Sequence, residues 1–143
     1  PIAYGPGRLN EISAFCSKFK ISNPLIVTDK GSKELPFVSR LTTLLRNASI
    51  QNQLFYGISP NPRDDEINAG CIAYSKGNHD GIIAIGGGSA LDGAKAIGMT
   101  VNSGVDLWDF EYRKPEPILN SSSPIFSLFT KNAPKKDLEN TFC

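Results

Sequence analysis

The chain has 143 residues, a net charge of +1 and 40% hydrophobic residues, which is enough for one domain with its own core. Acidic and basic residues are interspersed, which argues against nucleic-acid or anionic-membrane binding, and no apolar stretch approaches the roughly 20 residues that span a bilayer. Its three widely spaced cysteines (Cys16, Cys71 and Cys143) favour a reducing compartment over a disulfide framework, so we expect a cytoplasmic protein. The first residue is Pro1 and the only methionine is Met99, so we expect a piece of a longer protein.

The first half of the chain alternates helical and strand patterns. Residues 4–7 predict a turn, and residues 9–19 predict an amphipathic helix. The apolar run at residues 25–28 predicts a buried strand that ends at Asp29. A second helical stripe follows, for which Ser32 is a candidate N-cap, at Phe37, Leu41, Leu44 and Leu45.

A second strand and a third helix follow. Residues 50–56 alternate enough to predict the strand, and a loop around Asn61 lies between two prolines. The third helix is capped by Asp64 or Asp65, ends near Gly77, and carries an apolar face at Ile67, Cys71, Ile72 and Tyr74.

Several residues whose side chains could carry out chemistry also have a simple structural interpretation. The acidic run Asp64, Asp65 and Glu66 reads as a helix-start charge cluster rather than an acid–base pair. Cys16 and Cys71 fall on apolar helix faces and predict core packing rather than nucleophilic catalysis. The single histidine, His79, is interpreted as an exposed loop residue, since a catalytic metal site usually needs about three protein ligands.

The most informative stretch is residues 80–101. Residues 82–85 predict a buried strand, and Gly86, Gly87 and Gly88 then remove every Cβ from the turn that follows. Ser89 is the expected N-cap of a helix, with Asp92 completing a capping-box-like pair. A helix N-terminus attracts anions, so a phosphate site is predicted here, although such a turn can also be purely structural.

Strands that alternate with helices predict an α/β fold with a parallel sheet, and ligands of such sheets bind outside the carboxyl ends of the strands. That rule brings Asp29, the loop around Asn61 and the glycine turn to one edge. Asp29 could accept hydrogen bonds from an adenosine ribose and disfavour a 2′-phosphate, or it could be a turn residue; the sequence leaves both open. The acid precedes the glycines, so the usual dinucleotide fingerprint is absent.

The chain changes character after Val101. Residues 102–117 read as a loop with aromatic side chains. Residues 120–143 show no periodicity, so we expect an irregular tail there, including its short apolar piece at 125–129. We therefore divide the chain into a dinucleotide-binding α/β domain at 1–119 and an atypical tail at 120–143.

The string Ile-Gly-Gly-Gly-Ser-Ala-Leu-Asp-Gly-Ala-Lys-Ala-Ile at residues 85–97 resembles the N-terminal signature of the iron-containing (group III) alcohol dehydrogenase family. Four further segments resemble that family in matching order, at residues 4–7, 26–30, 60–62 and 106–110. The resemblance implies a Rossmann-like, dehydroquinate synthase-like nucleotide-binding domain. The family's helical metal-binding domain is missing from this chain, so neither a metal ligand nor a catalytic residue can be named.

The resemblance also implies the cofactors and the reaction. NAD would bind at Asp29, Asn61, Gly87, Gly88, Ser89 and Asp92, and iron or another divalent metal would serve the full-length enzyme. The implied reaction is reversible hydride transfer between NAD(H) and a small alcohol or aldehyde, in a homodimer by family analogy. The alternatives are a glycerol dehydrogenase, a dehydroquinate synthase-like enzyme on the same fold, or an inactive truncated nucleotide-binding fragment.

Overall fold

The computed structural model describes residues 7–104, 106–110 and 124–129. In these ranges four strands form one parallel sheet in the order β2-β1-β3-β4. The strands are Pro24–Asp29 (β1), Gln53–Ile58 (β2), Gly81–Gly86 (β3) and Ile125–Phe129 (β4). The helices are Ile12–Lys18 (α1), Pro36–Asn47 (α2), Asp64–Lys76 (α3) and Gly88–Thr100 (α4), with short 3₁₀ segments at Arg8–Glu11 and Leu107–Phe110. The predicted α/β class is confirmed.

The core lies on both faces of the sheet because the side chains of the two central strands alternate between those faces. On one face, Ile26, Ile83 and Ile85 pack in a buried cluster with the apolar residues of α1 and α2. On the other face, Leu25, Val27, Ile82 and Ala84 pack with those of α3 and α4. Burial on both faces explains why β1 and β3 are continuous apolar runs rather than alternating ones.

The helix boundaries differ from the predictions at three N-termini. Ser32 does not cap α2, which begins at Pro36, a residue whose fixed φ favours the first helical position. Neither Asp64 nor Asp65 caps α3, whose N-cap is Arg63. The predicted pair of Ser89 and Asp92 is also wrong: Gly87 is the N-cap of α4 and no side chain caps it. At each of these N-termini, the loop before the helix decides where the helix begins, through a proline, a glycine or a contact with a distant residue. The local preference of Ser or Asp for the N-cap position does not decide it.

The expectation for His79 was wrong. The side chain is only 7% exposed, and its Nδ1 lies 2.9 Å from the carbonyl oxygen of Asn23. The burial depends on Gly77, because a Cβ there would come within 2.2 Å of the imidazole Nε2. Cys16 is buried as predicted, whereas Ile72, expected on an apolar face, is 54% exposed.

The expected irregular tail was wrong at residues 125–129, which form β4 and pair with β3. A stretch of five residues, four of them apolar, is too short for periodicity to separate a strand from a loop, and the free edge of β3 supplies the backbone partners. Residues 120–123 and 130–143, the predicted turn at residues 4–6 and part of the predicted loop at 111–117 lie outside the described residues. Among the described residues, no helix has the length and apolar character to cross a membrane.

Candidate functional site

Three loops at the carboxyl ends of β1, β2 and β3 enclose a cleft of about 240 Å³. The residues that line it are Asp29, Lys30, Gly31, Ile58, Pro60, Gly87, Gly88 and Ser89. The structure therefore brings together four of the six residues predicted for the site: Asp29, Gly87, Gly88 and Ser89. The cleft lies at the edge where parallel α/β sheets bind their ligands.

The three consecutive glycines serve different purposes. Gly86 has a φ of 142°, and a Cβ there would lie 2.9 Å from Oδ2 of Asp29 and 3.0 Å from the Cβ of Ala90. A Cβ at Gly87 or Gly88 would meet no protein atom within 4 Å. Gly86 is therefore required by the fold, whereas Gly87 and Gly88 leave room in the cleft beside the first turn of α4.

Ser89 joins two walls of the cleft. It lies in the first turn of α4, and its hydroxyl donates a 2.7 Å hydrogen bond to the carbonyl oxygen of Pro60. This contact ties the glycine turn to the loop after β2. The backbone N–H groups of a first helical turn lack intrahelical acceptors, and at this turn they adjoin the cleft.

Asp29 is a turn residue that also lines the cleft. Its Oδ1 accepts hydrogen bonds from the backbone N–H groups of Gly31 (3.0 Å) and Ser32 (2.9 Å), and its Oδ2 accepts one from the Ser32 hydroxyl (2.9 Å). A carboxylate has about four lone-pair positions, so acceptor capacity remains for a ligand. The two interpretations that the sequence left open are thus compatible.

The structure adds Glu66, which the sequence assigned only to a helix-start charge cluster. Its carboxylate is 6% exposed and accepts hydrogen bonds from Ser59 and from Lys30, which lines the cleft. Burial raises the pKa of Glu66, but the hydrogen bonds from Ser59, from Lys30 and from the Arg63 backbone outweigh it and lower this pKa to about 2. Glu66 occupies the capping-box position three residues after the N-cap, but the sequence carried no signal of it because residue 63 is Arg rather than Ser or Thr. No sequence signal pointed to Lys30 as its partner.

Two predicted site residues, Asn61 and Asp92, are not among the residues that line the cleft. Asn61 is exposed, and its carbonyl oxygen lies 3.0 Å from the Ser59 hydroxyl oxygen, as an alternative acceptor for the single proton that Glu66 also accepts. Asp92 is exposed and its carboxylate lies 3.7 Å from the Lys95 ammonium. Asp92 instead lines a separate groove that includes Trp108.

Within the part of the chain that the structure describes, no cluster of three or more His, Cys, Asp or Glu side chains could hold a metal ion. The two described cysteines are also poor nucleophiles. Burial, with a smaller contribution from the Asp80 carboxylate, raises the pKa of the Cys16 thiol to about 11, and burial raises the pKa of Cys71 as well. The glycine-lined cleft is therefore the strongest candidate site.

Comparison with known proteins finds relatives over most of this chain. The family model for iron-containing alcohol dehydrogenase matches residues 1–133, which extends past residue 119, where we placed the end of the dinucleotide-binding domain. The 1,3-propanediol dehydrogenase of Citrobacter freundii is 32% identical over 129 residues, which are 89% of this chain and 33% of that protein. The NADH-dependent butanol dehydrogenase A of Clostridium acetobutylicum is 32% identical over 139 residues, which are 96% of this chain and 35% of that protein.

A solved structure of similar sequence has the same fold. The crystal structure of a 1,3-propanediol oxidoreductase superposes with a TM-score of 0.78 at 31% identity, covering 86% of this chain and 32% of that one. The chain thus spans about a third of the length of the relatives that it matches. It belongs to the iron-containing alcohol dehydrogenase family.

Proposed function

We propose that this chain is the NAD-binding part of an alcohol dehydrogenase that transfers hydride reversibly between NAD(H) and a small alcohol or aldehyde. The observation that carries the proposal is the cleft in which the open glycine turn of α4 and the carboxylate of Asp29 lie side by side. The name of the butanol dehydrogenase relative, which is NADH-dependent, supports the choice of cofactor. A cytoplasmic location, as its cysteine content suggests, is part of the same proposal.

The pyrophosphate of NAD is assigned to the glycine turn. Gly87 and Gly88 present no Cβ to the cleft, so phosphate oxygens can approach the backbone closely. The N-terminal turn of α4 offers backbone N–H groups and a partial positive charge. Since the Ser89 hydroxyl proton is already donated to Pro60, the backbone N–H of Ser89 is the group that we assign to the phosphate.

The adenosine ribose is assigned to Asp29, whose remaining acceptor capacity suits a ribose hydroxyl. The negative charge of this carboxylate would oppose the 2′-phosphate of NADP. Asn61 and Asp92 are left out of the proposed binding set because neither lines the cleft.

Bound NAD would supply the nicotinamide that accepts or donates the hydride. The contribution of this chain is to hold and orient the dinucleotide. The described residues do not fit the family's metal, since they provide no cluster of three candidate ligands, and no metal-dependent step is assigned to them.

Binding of NAD fragments to the 143-residue chain tests the proposal. We expect isothermal titration calorimetry to give similar affinities for NAD⁺ and ADP-ribose, and a weaker affinity for nicotinamide mononucleotide. Stronger binding of nicotinamide mononucleotide than of ADP-ribose, or binding of none of them to the folded chain, would contradict it. In a hydride-transfer assay with short-chain alcohols, with or without ferrous iron, we expect no NADH formation; iron-dependent turnover would refute the fragment alternative.

Asp29→Asn tests the ribose assignment more cleanly than Asp29→Gly. Asparagine keeps a side-chain oxygen for the Gly31 and Ser32 N–H groups but removes the charge, whereas glycine also removes the support of the turn. We expect Asp29→Asn to narrow the preference for NAD⁺ over NADP⁺ with little loss of stability. An unchanged preference would count against the role of Asp29.

A further inference from the structure

A buried carboxylate behind the cleft connects its walls. We propose that Glu66 is a positioning residue for the nucleotide, which sets the spacing between the loop after β1, the loop after β2 and the glycine turn. The inference rests on the proposed function of the cleft as the NAD site. Glu66 itself is not among the residues that line the cleft. Its partner Lys30 does line the cleft, and so does Pro60, which follows its partner Ser59.

The contacts of Glu66 reach two loops. Its Oε1 lies 3.1 Å from the Lys30 ammonium, which belongs to the loop after β1. Its Oε2 accepts hydrogen bonds from the Ser59 N–H (3.1 Å) and the Ser59 hydroxyl (2.9 Å), in the loop after β2, and from the Arg63 N–H (3.3 Å). One buried side chain from α3 therefore holds both loops.

Ser89 connects the third wall of the cleft, the glycine turn, to the contacts of Glu66. Ser59, held by Glu66, precedes Pro60, whose carbonyl oxygen accepts the Ser89 hydroxyl bond at 2.7 Å. A continuous path thus runs from the Glu66 carboxylate through residues 59 and 60 to the first turn of α4. A shift of the Ser59 loop would be transmitted directly to the turn that is assigned to the pyrophosphate.

Backbone pairing between β1 and β2 is irregular where the loops after these strands begin. The register between β1 and β2 shifts between Val27 and Asp29, at the point where β1 enters the cleft. Beyond the shift, the Lys30 N–H still donates a 3.0 Å hydrogen bond to the carbonyl oxygen of Ile58. Glu66 adds the side-chain bonds to Lys30 and Ser59 on either side of this backbone bond.

The charge of Glu66 matters as well as its shape. Its partners are all hydrogen-bond donors. Glutamine would replace one carboxylate oxygen with an NH₂ group, which is itself a donor, so the partners of that oxygen would be left without an acceptor. Hydrogen bonds to an ionised acceptor are shorter and stronger than neutral ones and hold their geometry better. Glu66→Gln should therefore loosen both loops without creating a cavity.

The test compares Glu66→Gln with Asp65→Asn in the 143-residue chain. Asp65 is the neighbouring carboxylate on α3. It pairs with the exposed guanidinium of Arg63, which lies 4.0 Å from Glu66 Oε1, rather than with Lys30 or Ser59, so it provides a matched loss of charge away from the two loops. We expect Glu66→Gln to weaken ADP-ribose binding about tenfold by calorimetry, and Asp65→Asn to leave it unchanged. Because a general loss of stability could also weaken binding, affinity is measured well below the unfolding temperature of each variant.

A double-mutant cycle gives a readout that a merely structural role would not produce. If Glu66 acts through residues 59 and 60 on Ser89, then Glu66→Gln and Ser89→Ala should be non-additive in ADP-ribose affinity. In the free protein, Glu66→Gln should also shift the backbone amide NMR signals of Gly88 and Ser89 across the cleft. Additive effects together with unshifted signals would overturn the proposal.

The possible outcomes distinguish a failure of the proposed role of Glu66 from a failure of the proposed function of the cleft. If the wild-type chain binds ADP-ribose and Glu66→Gln binds it equally well, Glu66 has no positioning role and the proposed function stands. If the wild-type chain does not bind, the proposed function fails, and the amide shifts in the free protein decide the role of Glu66. If Glu66→Gln does not fold, Ser59→Ala replaces it: we expect about a threefold loss of affinity from removing one hydroxyl, and unchanged affinity would overturn the inference.

Discussion

The substitutions Gly88→Ala and Gly86→Ala should have opposite effects, although the two glycines are only two residues apart. Gly88 is the first residue of α4, its φ is not positive, and a Cβ there would meet no protein atom within 4 Å. Alanine fits such a position and restricts the unfolded chain, so stability should rise by about 0.4–1 kcal/mol. The added methyl group, however, would occupy space that the proposed pyrophosphate needs.

The loss of affinity can be estimated from the cost of an extra methyl group in a packed contact. That cost is about 1–3 kcal/mol, which corresponds to roughly a 5- to 150-fold rise in the dissociation constant of ADP-ribose. Gly86→Ala acts on folding instead. Its φ of 142° is unfavourable for alanine, and the new Cβ would lie 2.9 Å from Asp29 Oδ2. Backbone strain of this kind costs about 1–3 kcal/mol.

Urea unfolding without ligand and calorimetric titration with ADP-ribose measure the two effects separately. We expect Gly88→Ala to be at least as stable as the wild type and to bind ADP-ribose weakly. We expect Gly86→Ala to unfold at lower urea concentration. The reasoning is refuted if Gly88→Ala binds ADP-ribose as tightly as the wild type, or if Gly86→Ala loses no stability.

Three further predictions concern the fold around the cleft. Leu41→Ala, which truncates a fully buried α2 side chain, should lower the free energy of unfolding by about 2–5 kcal/mol in urea titrations. Cys16 should react more slowly with iodoacetamide than Cys71 in native peptide mapping, because it is fully buried and its thiol pKa is about 11; equal rates would contradict this. Glu66 has a pKa lowered from 4.5 to about 2, so its contribution to stability is complete above pH 4.5 and is lost as the pH falls toward 2. Glu66→Gln should therefore make the free energy of unfolding, measured with urea, depend less on pH over that interval. If the variant and the wild type lose stability equally as the pH falls, the prediction is wrong.

The order of strands and helices was predictable because buried parallel strands and amphipathic helices leave strong apolar patterns. Residues 25–28 and 82–85 are apolar runs in the sequence and the central strands of the sheet. Helix starts were less predictable because capping preferences of about 1 kcal/mol compete with the demands of a loop. Ser89 illustrates this competition, since its hydroxyl bonds to Pro60 in another loop instead of capping its own helix.

The Glu66 network could not be predicted, because it depends on residues that are distant in the sequence. Glu66 and Lys30 are 36 positions apart, and nothing in either local pattern links them. The burial of His79 has a similar origin, since it requires the space that Gly77 leaves and the Asn23 carbonyl oxygen, 56 positions away. Sequence patterns report which face of an element is apolar; they do not report which polar groups from different elements meet.

The spatial order of the strands explains how this chain can build the proposed dinucleotide cleft without the usual fingerprint. In the usual arrangement the glycine turn follows the first strand, and the ribose-binding acid follows its neighbour in the sheet. Here the acid follows β1 and the glycines follow β3, yet β1 and β3 pair directly, with Ile26 opposite Ile83. Because β1 also pairs with β2, the loop after β1 lies between the other two loops. Asp29 therefore stands beside the glycine turn in space although the order along the chain is reversed, so adjacency in the sheet, rather than order in the sequence, determines whether the cleft can form.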